Sequence, residues 1–184
     1  SQSMKVLGHQ FVLGRNINEA MDRARGMEKK GYSYSYDMLG EAARTAEDAQ
    51  RYFMAYSKAI SSISERIKNL DIRSNPGISV KLSALHPRYE YTQKKRVLDE
   101  MVPRLSSLVF QAKNAGMGFN IDAEEADRLD LSLDIIEAVL SNPDLKGWDG
   151  FGVVVQAYGP RATYVIDWLY ALSKKLNRKI MVRL

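Results

Sequence analysis

The sequence predicts an α/β fold of the (β/α)8 TIM-type barrel class, with about the first five strands present in 184 residues. Three observations carry this expectation. Apolar residues alternate between a period of two and a period of 3.6 along the chain, as strands and crossover helices require. Strand starts recur roughly every 30–45 residues, compatible with the ~30 per unit of such a barrel. No G-x-G-x-x-G follows any strand, although a doubly wound open sheet normally carries that turn.

The elements follow in order. A helix is predicted from about Asn18 to Lys30, stopped by Gly31. Tyr32 to Met38, with Tyr alternating with Ser, reads as a strand. Its tyrosines are assigned to strand-face packing, and Met38 and Met181 to the core. Thr45 and Asp48 have capping-box spacing and open a long helix. Ala46, Ala49, Tyr52, Phe53, Tyr56, Ile60 and Ile63 repeat on one face of it.

Asn75-Pro76-Gly77 marks a turn before a strand at Ile78–Leu82, closed by His86-Pro87. A helix from about Gln93 to Asn114 contains Pro103, which predicts a kink or a restart. Gly116–Ala123 is the third strand and Ala126–Leu140 the next helix. Phe151–Ala157 is the fourth strand, Ala162–Leu176 a helix, and Ile180–Leu184 the fifth strand. Residues 1–31 are therefore expected to be a lead-in with a helix, and residues 32–184 the first half of a barrel truncated in strand 5. Five strands cannot close an eight-stranded barrel, so the segment alone is expected to be inactive.

Composition narrows the function classes. With 45% hydrophobic and 27% charged residues the chain reads as globular. No cysteine is present, which excludes disulfides and cysteine metal sites. No apolar run approaches the ~20 residues of a membrane span. The 27 Lys and Arg exceed 22 Asp and Glu, for a formal charge of +5. The basic residues are scattered, in short clusters such as Lys94-Lys95-Arg96, so nucleic-acid binding through this segment is not expected.

Side chains alternate between the faces of a strand. Lys81 lies opposite Ile78, Val80 and Leu82, and Asp122 opposite Phe119 and Ile121. Gln156 shares a face with Val154, and Arg183 faces away from Ile180 and Val182. Asp37 stands between Tyr36 and Met38. Five successive strands thus each place one polar side chain inward near the C-terminal end, where barrel enzymes build their sites. Unpaired buried charges would cost several kcal/mol each, so a purely structural reading is disfavoured.

Lys81, Asp122, Gln156 and Arg183 suit an anionic, hydrogen-bonding ligand. His9 and His86 fall outside the inward positions, and no His/carboxylate spacing suggests a metal. On these residues alone Lys81 fits a Schiff-base lyase or aldolase, or a donor to a carboxylate or cofactor ring. A non-enzymatic basic binding module is the third reading.

The segments GHQFVLGRNINEAM, YSYDMLGEAARTAEDAQRY, GISVKLSALHPRYEY, FNIDAEEADRLDLSLDIIE, VVVQAYGPRA and IMVRL cover nearly the whole chain. In that order they resemble the proline dehydrogenase domain of the bifunctional proline utilization A flavoenzymes. The resemblance implies a distorted barrel holding FAD non-covalently and oxidising L-proline to Δ1-pyrroline-5-carboxylate. It further implies hydride transfer to flavin N5 and electron delivery to a membrane quinone. It implies a cytoplasmic protein peripherally associated with the inner membrane, and in some relatives an aldehyde dehydrogenase module.

Residue by residue, Lys81 resembles the lysine near the flavin that also meets the proline carboxylate. Asp122 resembles the aspartate that orders substrate-binding arginines. Gln156 and Arg183 resemble flavin-ring contacts, with Arg183 placed to stabilise negative charge on the reduced flavin. Asp37 and Glu41 resemble the acidic residues lining the mouth of the proline pocket. The paired arginines that clamp the carboxylate in the family have no counterpart before Leu184.

Overall fold

The computed structural model describes residues 12–67 and 71–184; His9 lies outside them. Helix α1 (Ile17–Glu28) is opened by Asn16, whose side chain accepts the Glu19 N–H. Gly31, beyond its end, takes φ +90°, the left-handed conformation that stops a helix. β1 (Ser35–Asp37) is shorter than the expected Tyr32–Met38. Its parallel pairing with β2 (Gly77–Val80) runs only from Ser35 opposite Gly77 to Asp37 opposite Ser79, and Tyr32 is left exposed.

Between these strands runs α2 (Ala46–Ser64), with the Thr45/Asp48 capping box in place. Its Ala49, Tyr56, Ile60 and Ile63 are buried, while Ala46, read as part of that face, is exposed in the first turn. β2 ends at Val80, and Leu82 belongs to a 3₁₀ turn, Leu82–Ala84, not to the strand. Helix α3 spans Lys94–Asn114 without a restart. Pro103 sits on its exposed side, where water can satisfy the carbonyl that a proline leaves without its donor.

β3 (Gly118–Ile121), α4 (Leu129–Leu140), β4 (Phe151–Val154), α5 (Ala162–Lys175) and β5 (Met181–Arg183) complete the described chain. Helix α4 begins later than the expected Ala126, because Ala126–Arg128 form a 3₁₀ turn. The sheet is parallel throughout, in the order β1-β2-β3-β4-β5, each strand beside its sequence neighbour. This is the strand–helix–strand progression of a TIM-barrel-like fold.

One alternation builds the core. Ile78, Val80, Phe119, Ile121, Phe151 and Val153 form a single cluster with Ile60, Ile63, Met101, Leu105, Leu108, Ile135 and Val139 from the helices. Each such side chain contributes about 1.5–3 kcal/mol of burial free energy. Phe119 and Phe151 stack across β3 and β4 with centroids 6.3 Å apart. Met38 is half-buried against this cluster; Met181 is half-buried on the opposite sheet face, its Cε within 3.4 Å of where a Gly118 Cβ would lie.

His86 is built into the core, 1% exposed. Its Nδ1 accepts the Arg88 N–H, so Nε2 carries the proton and donates to Glu100 at 3.0 Å. Burial lowers its pKa from 6.5, with Glu100 opposing and Arg96 and Arg104 reinforcing the shift. The fold therefore prefers the neutral ring, and the unfolded chain takes up the proton first. Stability is complete above the unfolded value and declines as pH falls below it toward the lowered folded value. Between pH 7.5 and 5.5 the full-length protein is expected to lose thermal stability, and His86→Gln to lose less over the same interval. Equal losses in both, in parallel thermal melts, would remove His86 as a cause.

Candidate active site

The site starts where the strands stop. Lys81 follows β2 directly, and its backbone N–H donates to the Tyr56 hydroxyl at 3.2 Å. Tyr56 comes from α2, and burial pushes its phenol up to about 12, so the hydroxyl stays protonated. Asp122 follows β3, its N–H continuing the ladder to the Val80 carbonyl at 3.0 Å. Both side chains thereby take the face opposite the core residues that precede them.

On that face Lys81 Nζ donates to both Asp37 oxygens, at 2.9 and 2.8 Å, and to Asp122 Oδ2 at 3.0 Å. Arg183 Nη2 donates to Asp122 Oδ1 at 2.6 Å, and Nη1 to Ser79 Oγ at 3.1 Å. The order is Asp37–Lys81–Asp122–Arg183, two cations interleaved with two carboxylates. The inner members are the most enclosed: the Asp122 side chain is 10% exposed and Lys81 19%, against about half for Asp37 and Arg183. Burial works against the Lys81 charge, but the hydrogen bonds it donates to Asp37 and Asp122 outweigh it and hold the ammonium above the ordinary lysine range.

A second polar layer lies two residues back along the same strands. Ser35 and Ser79 hydroxyls bond at 2.9 Å, and Asn120 Nδ2 reaches Ser35 Oγ at 3.3 Å. Gly152 of β4 leaves room for this layer, since a Cβ there would overlap the Asn120 amide oxygen.

Beside the network opens a cavity of about 510 Å³. Glu41, Lys81, Asp122, Glu124 and Gln156 line it, together with apolar residues of α4 and β4. Gln156 lies two residues beyond β4, not inside the expected Phe151–Ala157 strand, and so stands on the turn at the cavity wall. Glu41 sits on the loop after β1, where Gly40 takes φ +137° against the Tyr52 ring and any Cβ would overlap that ring. Burial raises the Glu124 carboxyl above its ordinary range, opposed by hydrogen bonding with the Ser83 side chain and with the Ser83 N–H.

Four of the six residues singled out in the sequence, Asp37, Lys81, Asp122 and Arg183, are joined in one network. Glu41 and Gln156 share the cavity but not the network. Sequence reasoning missed Ser79 and Asn120, although each stands two residues before a chosen residue on the same strand face. It also missed Tyr56, read only as part of an apolar helix face, and Glu124, inside a quoted motif but given no role.

Fold and site define a barrel-type α/β protein whose strand ends gather paired cations and carboxylates beside a cavity. The chain belongs to the proline dehydrogenase family, whose pattern matches residues 20–184. It is 51% identical over 182 residues to the bifunctional protein PutA of Klebsiella aerogenes, covering 99% of this chain and 14% of that protein. A solved structure of Bradyrhizobium japonicum proline utilization A, the D778Y mutant, is 52% identical with TM-score 0.86, covering 100% of this chain and 19% of that one. Proline utilization A from Bdellovibrio bacteriovorus shares the fold at 22% identity, with TM-score 0.87 over 94% of this chain and 19% of its own. The chain thus spans about a seventh of the length of the curated relatives it matches.

Proposed function

We propose that the protein carrying this chain oxidises L-proline to Δ1-pyrroline-5-carboxylate, with FAD as the hydride acceptor. The observation that carries the reading is the Asp37–Lys81–Asp122–Arg183 network at the strand ends of a proline dehydrogenase family chain. A zwitterionic amino acid needs cations for its carboxylate and acidic groups near its amine, and this site offers both.

The residues also fit the flavin. Arg183 is half exposed and shares the Asp122 carboxylate with Lys81, and Lys81, Asp122 and Gln156 line the cavity. Lys81, Gln156 and Arg183 would hold the isoalloxazine. When bound, the flavin supplies the two-electron acceptor for the hydride leaving the proline ring carbon. Lys81 stays protonated between its two carboxylates and acts as a donor, to the proline carboxylate or to the ring. Arg183 stabilises negative charge that accumulates next to it. Asp122 keeps both cations aimed, and Asp37 with Glu41 forms the acidic mouth over the pocket.

Electrons pass on to a membrane quinone, with the protein cytoplasmic and held at the inner membrane from its surface. Among the described residues no helix is long and apolar enough to cross a membrane. The bifunctional relatives make an aldehyde dehydrogenase module in the parent chain part of this proposal.

Two rival readings lose ground. A Schiff-base lysine must be available uncharged, whereas Lys81 is held charged by Asp37 and Asp122. A nucleic-acid patch needs free cations, whereas Lys94, Lys95 and Arg96 pair with Asp134, Asp99 and Glu100. The deciding experiment is an anaerobic L-proline titration of the full-length protein followed by visible absorption. A flavin spectrum that bleaches with proline is the expected result. A flavin unmoved by proline would transfer the site to another cyclic amine, and well-folded protein without flavin would end the reading.

A further inference from the structure

Three strand-end loops converge on one buried residue outside the ion network. Ser83, in the 3₁₀ turn after Lys81, is 2% exposed. Its Oγ accepts the Ala42 N–H at 3.0 Å and its carbonyl accepts the Ala43 N–H at 2.9 Å. Its own N–H donates to Glu124 Oε2 at 3.0 Å. The loop after β1, the turn after β2 and the loop after β3 are therefore tied at a single residue.

What the tie holds is strained. Ala42 has φ +52°, a left-handed conformation that an L side chain adopts only where its surroundings enforce it. The two hydrogen bonds to Ser83 supply that enforcement. Glu41, the residue immediately before, lines the cavity with Lys81 and Asp122. Without the tie, the loop can relax toward negative φ at Ala42 and carry Glu41 away from the mouth.

We propose that Ser83 is a positioning residue, which holds the Glu41 loop over the substrate pocket with Glu124 as its anchor on the third loop. The proposal rests on the proline dehydrogenase reading for its kinetic test. A serine that served only packing would change stability without a selective effect on proline binding.

The test is Ser83→Ala in the full-length enzyme. The KM for L-proline is expected to rise about 5- to 10-fold with kcat within about twofold, the size of effect that losing one hydrogen bond predicts. Trypsin is expected to cut after Arg44 faster than in the parent, because Arg44 lies on the loosened loop. Adding Ala42→Gly is expected to recover much of both effects, since glycine adopts positive φ without strain.

An unchanged KM together with unchanged Arg44 cleavage would overturn the proposal, as would effects that Ala42→Gly fails to reverse. Should Ser83→Ala not accumulate folded, Ala42→Pro removes the donor and the left-handed φ from the loop side. It must then reproduce the KM rise, and an unaltered KM overturns the assignment. If the parent itself does not oxidise proline, the functional reading falls, while the Arg44 cleavage comparison still decides the role of Ser83.

Discussion

Lys81→Met in the full-length enzyme is expected to lower kcat/KM for L-proline by about 10²- to 10³-fold, the cost of removing a preorganised donor from a site where charge develops. The side-chain stem survives, so the change isolates the ammonium. That ammonium makes three hydrogen bonds, two to Asp37 and one to Asp122, and is 19% exposed. Without it the Asp37 and Asp122 carboxylates lose their shared cation, and among the described residues Asp122 keeps only Arg183 as a cation partner. Folding stability is expected to fall by about 1–3 kcal/mol, because a poorly hydrated charge loses a partner but not its last one. With the proposed flavin as acceptor, rapid-mixing measurement of its anaerobic reduction reads the effect directly. A rate within threefold of the parent would mean that Lys81 holds the barrel together and does nothing for the reaction.

The second large effect belongs to Asp122, the one member that touches both cations. Asp122→Ala is expected to cost about 10²-fold in kcat/KM, since Lys81 and Arg183 then lose both their alignment and the charge that separates them. Its signature is non-additivity. Lys81 and Asp122 act through the same contact, so the double variant Lys81→Met/Asp122→Ala should fall short of the summed single effects by about 0.5–3 kcal/mol. Strict additivity of the two, measured as ratios of kcat/KM in a four-member cycle, would show that the 3.0 Å contact has no part in turnover.

Why four of these residues could be read from the sequence is a matter of strand geometry. Alternation on a strand is local, and a polar residue among apolar neighbours declares its face without knowledge of what lies across the sheet. Asp37, Lys81, Asp122 and Arg183 were legible for that reason. Where a strand ends is not local, because a ladder lasts only as long as its neighbour supports it. The expected seven residues at Tyr32–Met38 therefore shrink to three, and Gln156 falls outside its strand.

Ser83 and Glu124 were harder still. Their roles arise from hydrogen bonds between loops 41 residues apart in the chain, Ala42 to Ser83 and Ser83 to Glu124. No periodicity encodes such pairs. The flavin and proline roles rest on motif resemblance, not on residue spacing, and belong to the proposal.

The short strands carry a further consequence for how this sequence can vary. Core and site occupy opposite parities of the same short strands and of the residue that follows each: Ile78 and Val80 against Ser79 and Lys81, Phe119 and Ile121 against Asn120 and Asp122. A deletion of one residue within such a run reverses the parity of everything after it up to the next loop. It would drive Lys81 or Asp122 among the leucines and turn isoleucine toward the ligand. Length changes are consequently tolerable between the strands and forbidden within them, so that reading frame along each strand is inherited as a single indivisible character.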